Sequence, residues 1–497
     1  MQKVEGFPMK KFTLYVLLAA MLTGMISCGS DAPAGDTTAA DETAAEVTTS
    51  YLDTISNKTF DGMTLTVIAE HYESQPTLPP EEQTGDIVDD ALYDRDSTVE
   101  ERLGITIEYV PYEKRGDLRN AVQTAITAGD TLYDAIILSM ADGMNKLAPE
   151  GYLLDLNTLP SIALDEAWWS QSCRENLTFN DKQYITSGPI SLAYYYAPCV
   201  IAFNQRLTDE YKIPNLYELA LSGKWTLDQF GAITKNVASD VNADGNMTAS
   251  DDFFAFACDE LTGQAFFIGA GGMQTEIGDN GEPKLVMNSA KNVDILDKII
   301  SVVADKSMRL LTEGIQMDGS SIAAYNKTWH FKNAATMLMG YNMSGIIQYL
   351  RDMEDDYGLI PMPKLDENQS DYLTYGSPWG PVGVAVPVTC PTERMEMVGT
   401  ALEMMAYLSY TNVGPQMFNV TLKEKISRDE NSKLMLDIIY SDVIFDLNGI
   451  HNFGSTGNLL RSCAIGSKEN FSSQYASSLA KAEEALAQLM DQYKAIN

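Results

Sequence analysis

The spacing of apolar and polar positions divides much of the chain into short strands and amphipathic helices. Met63–Ala69 (MTLTVIA) reads as a strand, Asp89–Leu103 as a helix and Ile105–Val110 as a second strand. Asp117 is placed as the N-cap of a helix to about Ala128, with Ala121, Val122, Ala125 and Ile126 on one face. Asp134–Leu138 is a short apolar strand of the kind buried in a parallel sheet. Strand, helix, strand, helix, strand predicts a doubly wound α/β lobe. Further strands are predicted at Cys199–Asn204 and Gly383–Val388, and further helices at Thr226–Asn236, Ala290–Asp305, Pro391–Tyr410 and Asn470–Ala495. Aromatic and glycine clusters at Ser187–Pro198 and Tyr375–Gly383 interrupt this pattern and read as hinge crossings between two lobes.

The start of the chain follows a different pattern. Lys10 and Lys11 precede an apolar run from Phe12 to Ile26. That run is too short for a bilayer core of ~30 Å but suits a signal peptide. It ends in Met25-Ile26-Ser27-Cys28-Gly29, which resembles a bacterial lipobox, with Met25 where leucine is usual. The resemblance implies residues 1–27 as a lipoprotein signal peptide and Cys28 as the lipidated residue. Residues 28–57 are rich in Ala, Thr, Asp and Glu, have no helical or strand period, and read as a disordered tether. A flexible chain of ~29 residues reaches roughly 30 Å. The localisation expected is the outer face of the bacterial cytoplasmic membrane, held by lipid alone.

Composition narrows the function. The 497 residues carry 34 basic and 69 acidic side chains, a formal charge of −35, so phosphate backbones and anionic lipid surfaces are repelled. No nucleic-acid partner is expected. Removing the lysine-containing signal makes the remaining chain more acidic still. Cys173, Cys199, Cys258, Cys390 and Cys463 are widely spaced with no Cys-x-x-Cys, so they read as buried thiols rather than a disulfide or zinc framework. There is no Gly-x-Ser-x-Gly, His-Glu-x-x-His or P-loop, and catalysis is not expected.

Several segments resemble, in order, the family 1 extracellular solute-binding proteins of ABC importers, which include maltodextrin- and multiple-sugar-binding proteins. Phe331-Lys332-Asn333-Ala334-Ala335-Thr336-Met337 is similar to that family's F-x-x-G-x-A-A-M signature, with Asn333 in place of glycine. Tyr357–Lys364 resembles its G-x-x-P-x-P turn, Gly380–Pro387 its returning strand, Asp181–Asn204 its first crossing, and Lys224–Phe230 its W-T-x-D-E/Q-F helix start.

The resemblance implies a periplasmic-binding-protein-like α/β fold: two doubly wound lobes joined by multiple hinge crossings. The N-terminal lobe is drawn as 58–188 with 380–450, and the C-terminal lobe as 189–379 with 451–497. The function implied is capture of a carbohydrate, an oligosaccharide above all, in an interlobe cleft by a monomer that hands it to ABC permease transmembrane subunits. The alternatives are a binder of another solute such as a peptide, and a surface glycoside hydrolase or lyase.

A sugar site needs aromatic platforms beside amide and carboxylate hydrogen-bonders. The candidates at strand ends and crossings are His71, Tyr72, Glu73, Ser139, Asp142, Tyr194, Tyr195, Tyr341, Asn342, Trp379, Asn452 and Phe453. One further motif stands apart. Asp240, Asn242, Asp244, Asn246, Thr248 and Asp251 fall at EF-hand spacing with Gly245 at the turn, and predict a structural Ca²⁺ site.

Overall fold

The computed structural model describes residues 51–56, 58–72, 77–278, 280–315, 322–424 and 430–496. The signal peptide, Cys28, most of the tether and Glu73 lie outside the described residues. Residues 50–497 form one compact unit.

Two five-stranded sheets organise it. In the first, the order is Thr106–Tyr112, Thr64–Glu70, Ala135–Leu138, Gly383–Ala385, Thr186–Ser187. The first three strands are parallel, and Gly383–Ala385 runs antiparallel to both neighbours. In the second, the order is Arg309–Leu311, Phe254–Cys258, Thr336–Asn342, Cys199–Asn204, Tyr357–Ile360. Its first three strands are parallel, and Cys199–Asn204 runs antiparallel between the other two. The all-apolar strand Ala135–Leu138 is fully buried, as a sheet covered on both faces requires.

The helices follow the apolar periodicity, with shifts at their ends. Ile87–Leu103 starts earlier than the pattern suggests, because Asp86 caps the amides of Val88 and Asp89, and Gly104 ends it in the left-handed conformation. Asp117 is not a cap. The helix begins at Arg115, and Asp117 sits in its first turn, where a carboxylate favours the positive end of the helix dipole. Thr226, Ser289 and Asn204 cap helices at Leu227–Thr234, Ala290–Val303 and Gln205–Glu210.

Two segments depart from the lobe boundaries the sequence suggests. Met435, Leu436 and Ile439 pack in the core of the second sheet. The long helix Phe471–Ala495 begins there with Phe471 and Tyr475, then carries Ala482, Leu486, Leu489, Met490 and Tyr493 into the core beside the first sheet. One apolar stripe thus serves both lobes. A third crossing, Val443–Ile444, pairs in parallel with Thr374–Tyr375 of the second.

The end of the tether is also corrected. Tyr51–Ile55 is helical, with Leu52 buried. The Tyr51 ring lies 4.6 Å from Trp168 and 4.9 Å from Tyr407, and its hydroxyl donates to Glu403. Glu403 also accepts from the indole N–H groups of Trp168 and Trp169. Apolar residues that are too few to fold alone are ordered here by a preformed aromatic surface. All five cysteines of the folded part are buried free thiols. Among the described residues, no helix is long and apolar enough to cross a membrane.

Candidate functional site

The carboxyl ends of the first-sheet strands carry a polar network. Glu70 ends Thr64–Glu70, Ser139 follows Ala135–Leu138, and Arg115 opens the helix Arg115–Ala128. Glu70 is fully buried and meets the Arg115 guanidinium at 2.9 Å. It also accepts from the Ser139 amide at 2.9 Å, the Ser139 hydroxyl and the Tyr72 hydroxyl. Burial alone would raise the Glu70 carboxyl. The donors Arg115, Ser139 and Tyr72 outweigh it and hold the group below its ordinary range. Burial and the adjacent carboxylate push the Tyr72 phenol up to about 12, so it remains a donor.

This network grips the second crossing. Arg115 donates to the Trp379 carbonyl at 2.6 Å, and the Ser139 hydroxyl, 3.0 Å away, shares its one proton between that carbonyl and Glu70. The Ala141 amide donates to Pro378. The Trp379 backbone is therefore fixed from the first lobe, while its side chain is 44% exposed. The Arg115 guanidinium lies 6.0 Å from its ring centroid.

Trp379 stands between two cavities. One, of ≈340 Å³, is lined by Asp142, Asn145, Gln264, Asn448, His451, Asn452 and Arg461. The second, of ≈210 Å³, is lined by Tyr72, Tyr196, Asn342, Ser344 and Ser377. Both walls include elements of both lobes. An indole face between amide- and hydroxyl-lined cavities can stack on an apolar ring face and hydrogen-bond its edges.

The lining is pre-organised. Asp142 adopts φ 59° and pairs with Lys146, which holds its carboxyl below the ordinary range. Asn342 caps the helix Met343–Tyr349. The Asn452 side-chain oxygen Oδ1 accepts the Asn458 backbone amide at 3.1 Å. The His451 ring stacks on Phe453 at 5.3 Å, and burial lowers its imidazole to about 4, so it is a neutral hydrogen-bonder. Asn448 reaches Gln274 and Thr456 through its amide N–H and accepts from the Phe453 amide.

Of the residues predicted from sequence, Tyr72, Asp142, Asn342, Trp379 and Asn452 line these two cavities. Ser139 is fully buried and acts on Trp379 through its hydrogen bond. His71 lines a separate groove beside Leu78–Pro80 and Tyr109. Tyr195 is buried against Phe418 and Tyr440, and Tyr194 packs edge-on against it. Tyr341 lies under the Lys327 ammonium, 4.0 Å from its ring, where Lys327 pairs with Asp259 at 2.6 Å. Phe453 is core and supports His451 from behind. Tyr196, a candidate of the first crossing beside Tyr194 and Tyr195, lines the smaller cavity, whereas Arg115, Glu70, Gln264, His451 and Arg461 were not singled out by the sequence. The polar and glycine-rich run Asn448–Asn458 is the signal that could have found part of them.

The Asp240–Asp251 loop turns at Gly245, which adopts φ 85°. The Asp240 carboxylate accepts the amides of Asp244 and Gly245, and Asn242 donates to Asp244 and Asp251. Thr248 and Ser250 donate to Asp251, and Asn246 donates to Asp244. Among the described residues no three His, Cys, Asp or Glu side chains are grouped closely enough to hold a metal by themselves.

Residues 96–433 match the family model described as Bacterial extracellular solute-binding protein. Among curated proteins no sequence matches the chain. Three solved structures share the fold. An uncharacterized protein, lmo0859, from Listeria monocytogenes EGD-e is 14% identical at TM-score 0.54, over 85% of this chain and 100% of its own. The cyclic α-maltosyl-1,6-maltose binding protein from Arthrobacter globiformis is 13% identical at TM-score 0.53, over 86% and 100%. UspC from M. tuberculosis is 12% identical at TM-score 0.53, over 85% and 100%. At such identities the likeness is one of fold.

Proposed function

The chain belongs to the bacterial extracellular solute-binding protein family, and from that premise we propose that it captures an oligosaccharide in the cleft around Trp379 and delivers it to an ABC permease. The observation that carries this reading is the exposed indole between two polar cavities, held by its backbone from the first lobe. An aromatic face flanked by amides suits a sugar better than a peptide, whose backbone asks for a sheet edge. The Arthrobacter globiformis protein of the same fold binds a cyclic maltosaccharide, as its name states. Closure of the lobes about the three crossings would bury the ligand between them. A lipid on Cys28 would hold the protein at the membrane as a monomer.

A thermal-shift screen against neutral and acidic oligosaccharides tests this. A ligand that binds only the folded chain at a hundred times its Kd adds about 2.7 kcal/mol of stability. One glycan class is expected to raise Tm by several degrees and to be recovered intact. No shift with any glycan, or release of shorter products, would overturn the reading.

We also propose Ca²⁺ as a structural brace in the Asp240–Asp251 loop. Asp240, Asp244 and Asp251 would supply carboxylate oxygens, Asn242 and Thr248 neutral ones, and Asn246 its carbonyl. EDTA is expected to lower Tm by a few degrees, with recovery on adding calcium. An unchanged Tm would exclude a stabilising ion there.

A further inference from the structure

The larger cavity beside Trp379 contains donors that the protein itself does not satisfy. Gln264 is 1% exposed, and its Nε2 has no hydrogen-bond partner. It sits against Gly449, where a Cβ would stand 2.8 Å from that nitrogen, so glycine leaves the amide room at the cavity wall. The buried Nε of Arg461 is likewise without an acceptor. One terminal nitrogen of Arg461 donates to Asn458. Both residues line the same cavity.

The charge around them is uneven. Arg115 is paired with Glu70, and Arg119 and Lys146 both face Asp142. Among the described residues no carboxylate lies within ion-pair distance of Arg461. The nearby Asp446 carboxylate is turned to the amides of Gln274, Thr275, Asn448 and Gly449. In a chain of charge −35, a partly buried guanidinium without a carboxylate is costly unless an anion joins it. The helix Thr456–Ala464 also starts here. Its N-cap Ser455 makes no side-chain capping bond, but the Asn452 side-chain oxygen already accepts the Asn458 amide of its first turn, so the charge offered to this space is that of Arg461.

We infer that the captured ligand is an acidic oligosaccharide, and that a carboxylate on one of its rings is received by Arg461 and Gln264 while Trp379 stacks on a ring face. The inference rests on the carbohydrate-capture reading and narrows its substrate class. Arg461 supplies the charge, and its planar fork matches a carboxylate better than it matches a hydroxyl. Gln264 supplies a neutral donor that a second carboxylate oxygen or an adjacent hydroxyl can use.

The test is calorimetric titration of the whole chain with tetrameric galacturonate, glucuronate and mannuronate, each beside its methyl ester, and with maltotetraose as a neutral control. At least one free acid is expected to bind tenfold or more tightly than its ester, and Arg461→Gln is expected to erase that difference at unchanged Tm. An ester or maltotetraose that binds as tightly as the acids overturns the inference and leaves carbohydrate capture standing. Binding of none of these ligands overturns it too, and the wider glycan screen then decides separately whether carbohydrate capture stands. An acid preference that persists in Arg461→Gln removes Arg461 from the role.

Discussion

Trp379→Ala is expected to weaken binding of the glycan found by the thermal-shift screen by about 30- to 1,000-fold, the roughly 2–4 kcal/mol that truncating a central aromatic anchor costs. The fold should barely change. The side chain is 44% exposed, and the hydrogen bonds that fix this crossing go to the Trp379 carbonyl, which alanine retains. Trp379→Phe should recover much of the affinity, because a flat apolar face remains. Titration calorimetry with a parallel melting curve separates the two effects. An alanine variant of parental affinity would show that the ligand sits elsewhere.

Arg115→Ala is expected to destabilise the first lobe by about 3–5 kcal/mol, because it leaves the Glu70 carboxylate buried with no counter-ion. It also removes the donor that holds the Trp379 carbonyl at 2.6 Å, so ligand affinity should fall as well. The double variant Glu70→Gln with Arg115→Met should recover much of the stability, since no charge is then stranded. The pH dependence follows from the direction of the Glu70 shift. Its carboxyl is held below the ordinary 4.5, so the stabilisation is complete above that value and is lost as pH falls through the lower folded value. Acid unfolding of the parent should therefore be steeper than that of the double variant. Urea unfolding at pH 7 and at pH 3 measures both effects. If the single and double variants are equally unstable, the ion pair is not what Arg115 contributes.

The arrangement of lobes was legible because it rests on runs that admit one reading. Cys199–Asn204 forms the strand its pattern predicts, and Ala135–Leu138 is buried on both faces as a continuous apolar run should be. Trp379 was legible from its place in a glycine- and proline-rich crossing. Much of the site around it was not. Tyr194 and Tyr195 occupy an equivalent place in the first crossing, yet a short helix, Ala193–Tyr196, turns Tyr195 into a cluster with Phe418 and Tyr440. Local sequence carries no sign of partners more than two hundred residues away. Gln264 and Arg461 sit on the helices Glu260–Gly269 and Thr456–Ala464, which the apolar pattern did not assign, and only the tertiary fold brings them to one cavity. Glu70 ends an apolar strand, and its role depends on Arg115, which the sequence gives no reason to place beside it. The tether's final turn orders because Trp168 and Tyr407 wait for Tyr51, again a contact between distant segments.

The central claim is that the ligand lies in the cleft between the lobes, against Trp379. Hydrogen–deuterium exchange with and without the glycan that raises Tm tests it most directly. Bound ligand is expected to protect the amides of Ser139–Asn145, Gly376–Val382 and Asn448–Arg461 together, since residues of all three segments line the cavities beside Trp379. Protection confined to the groove of Leu78–Pro80 and Tyr109, with the three cleft segments unchanged, would contradict the account.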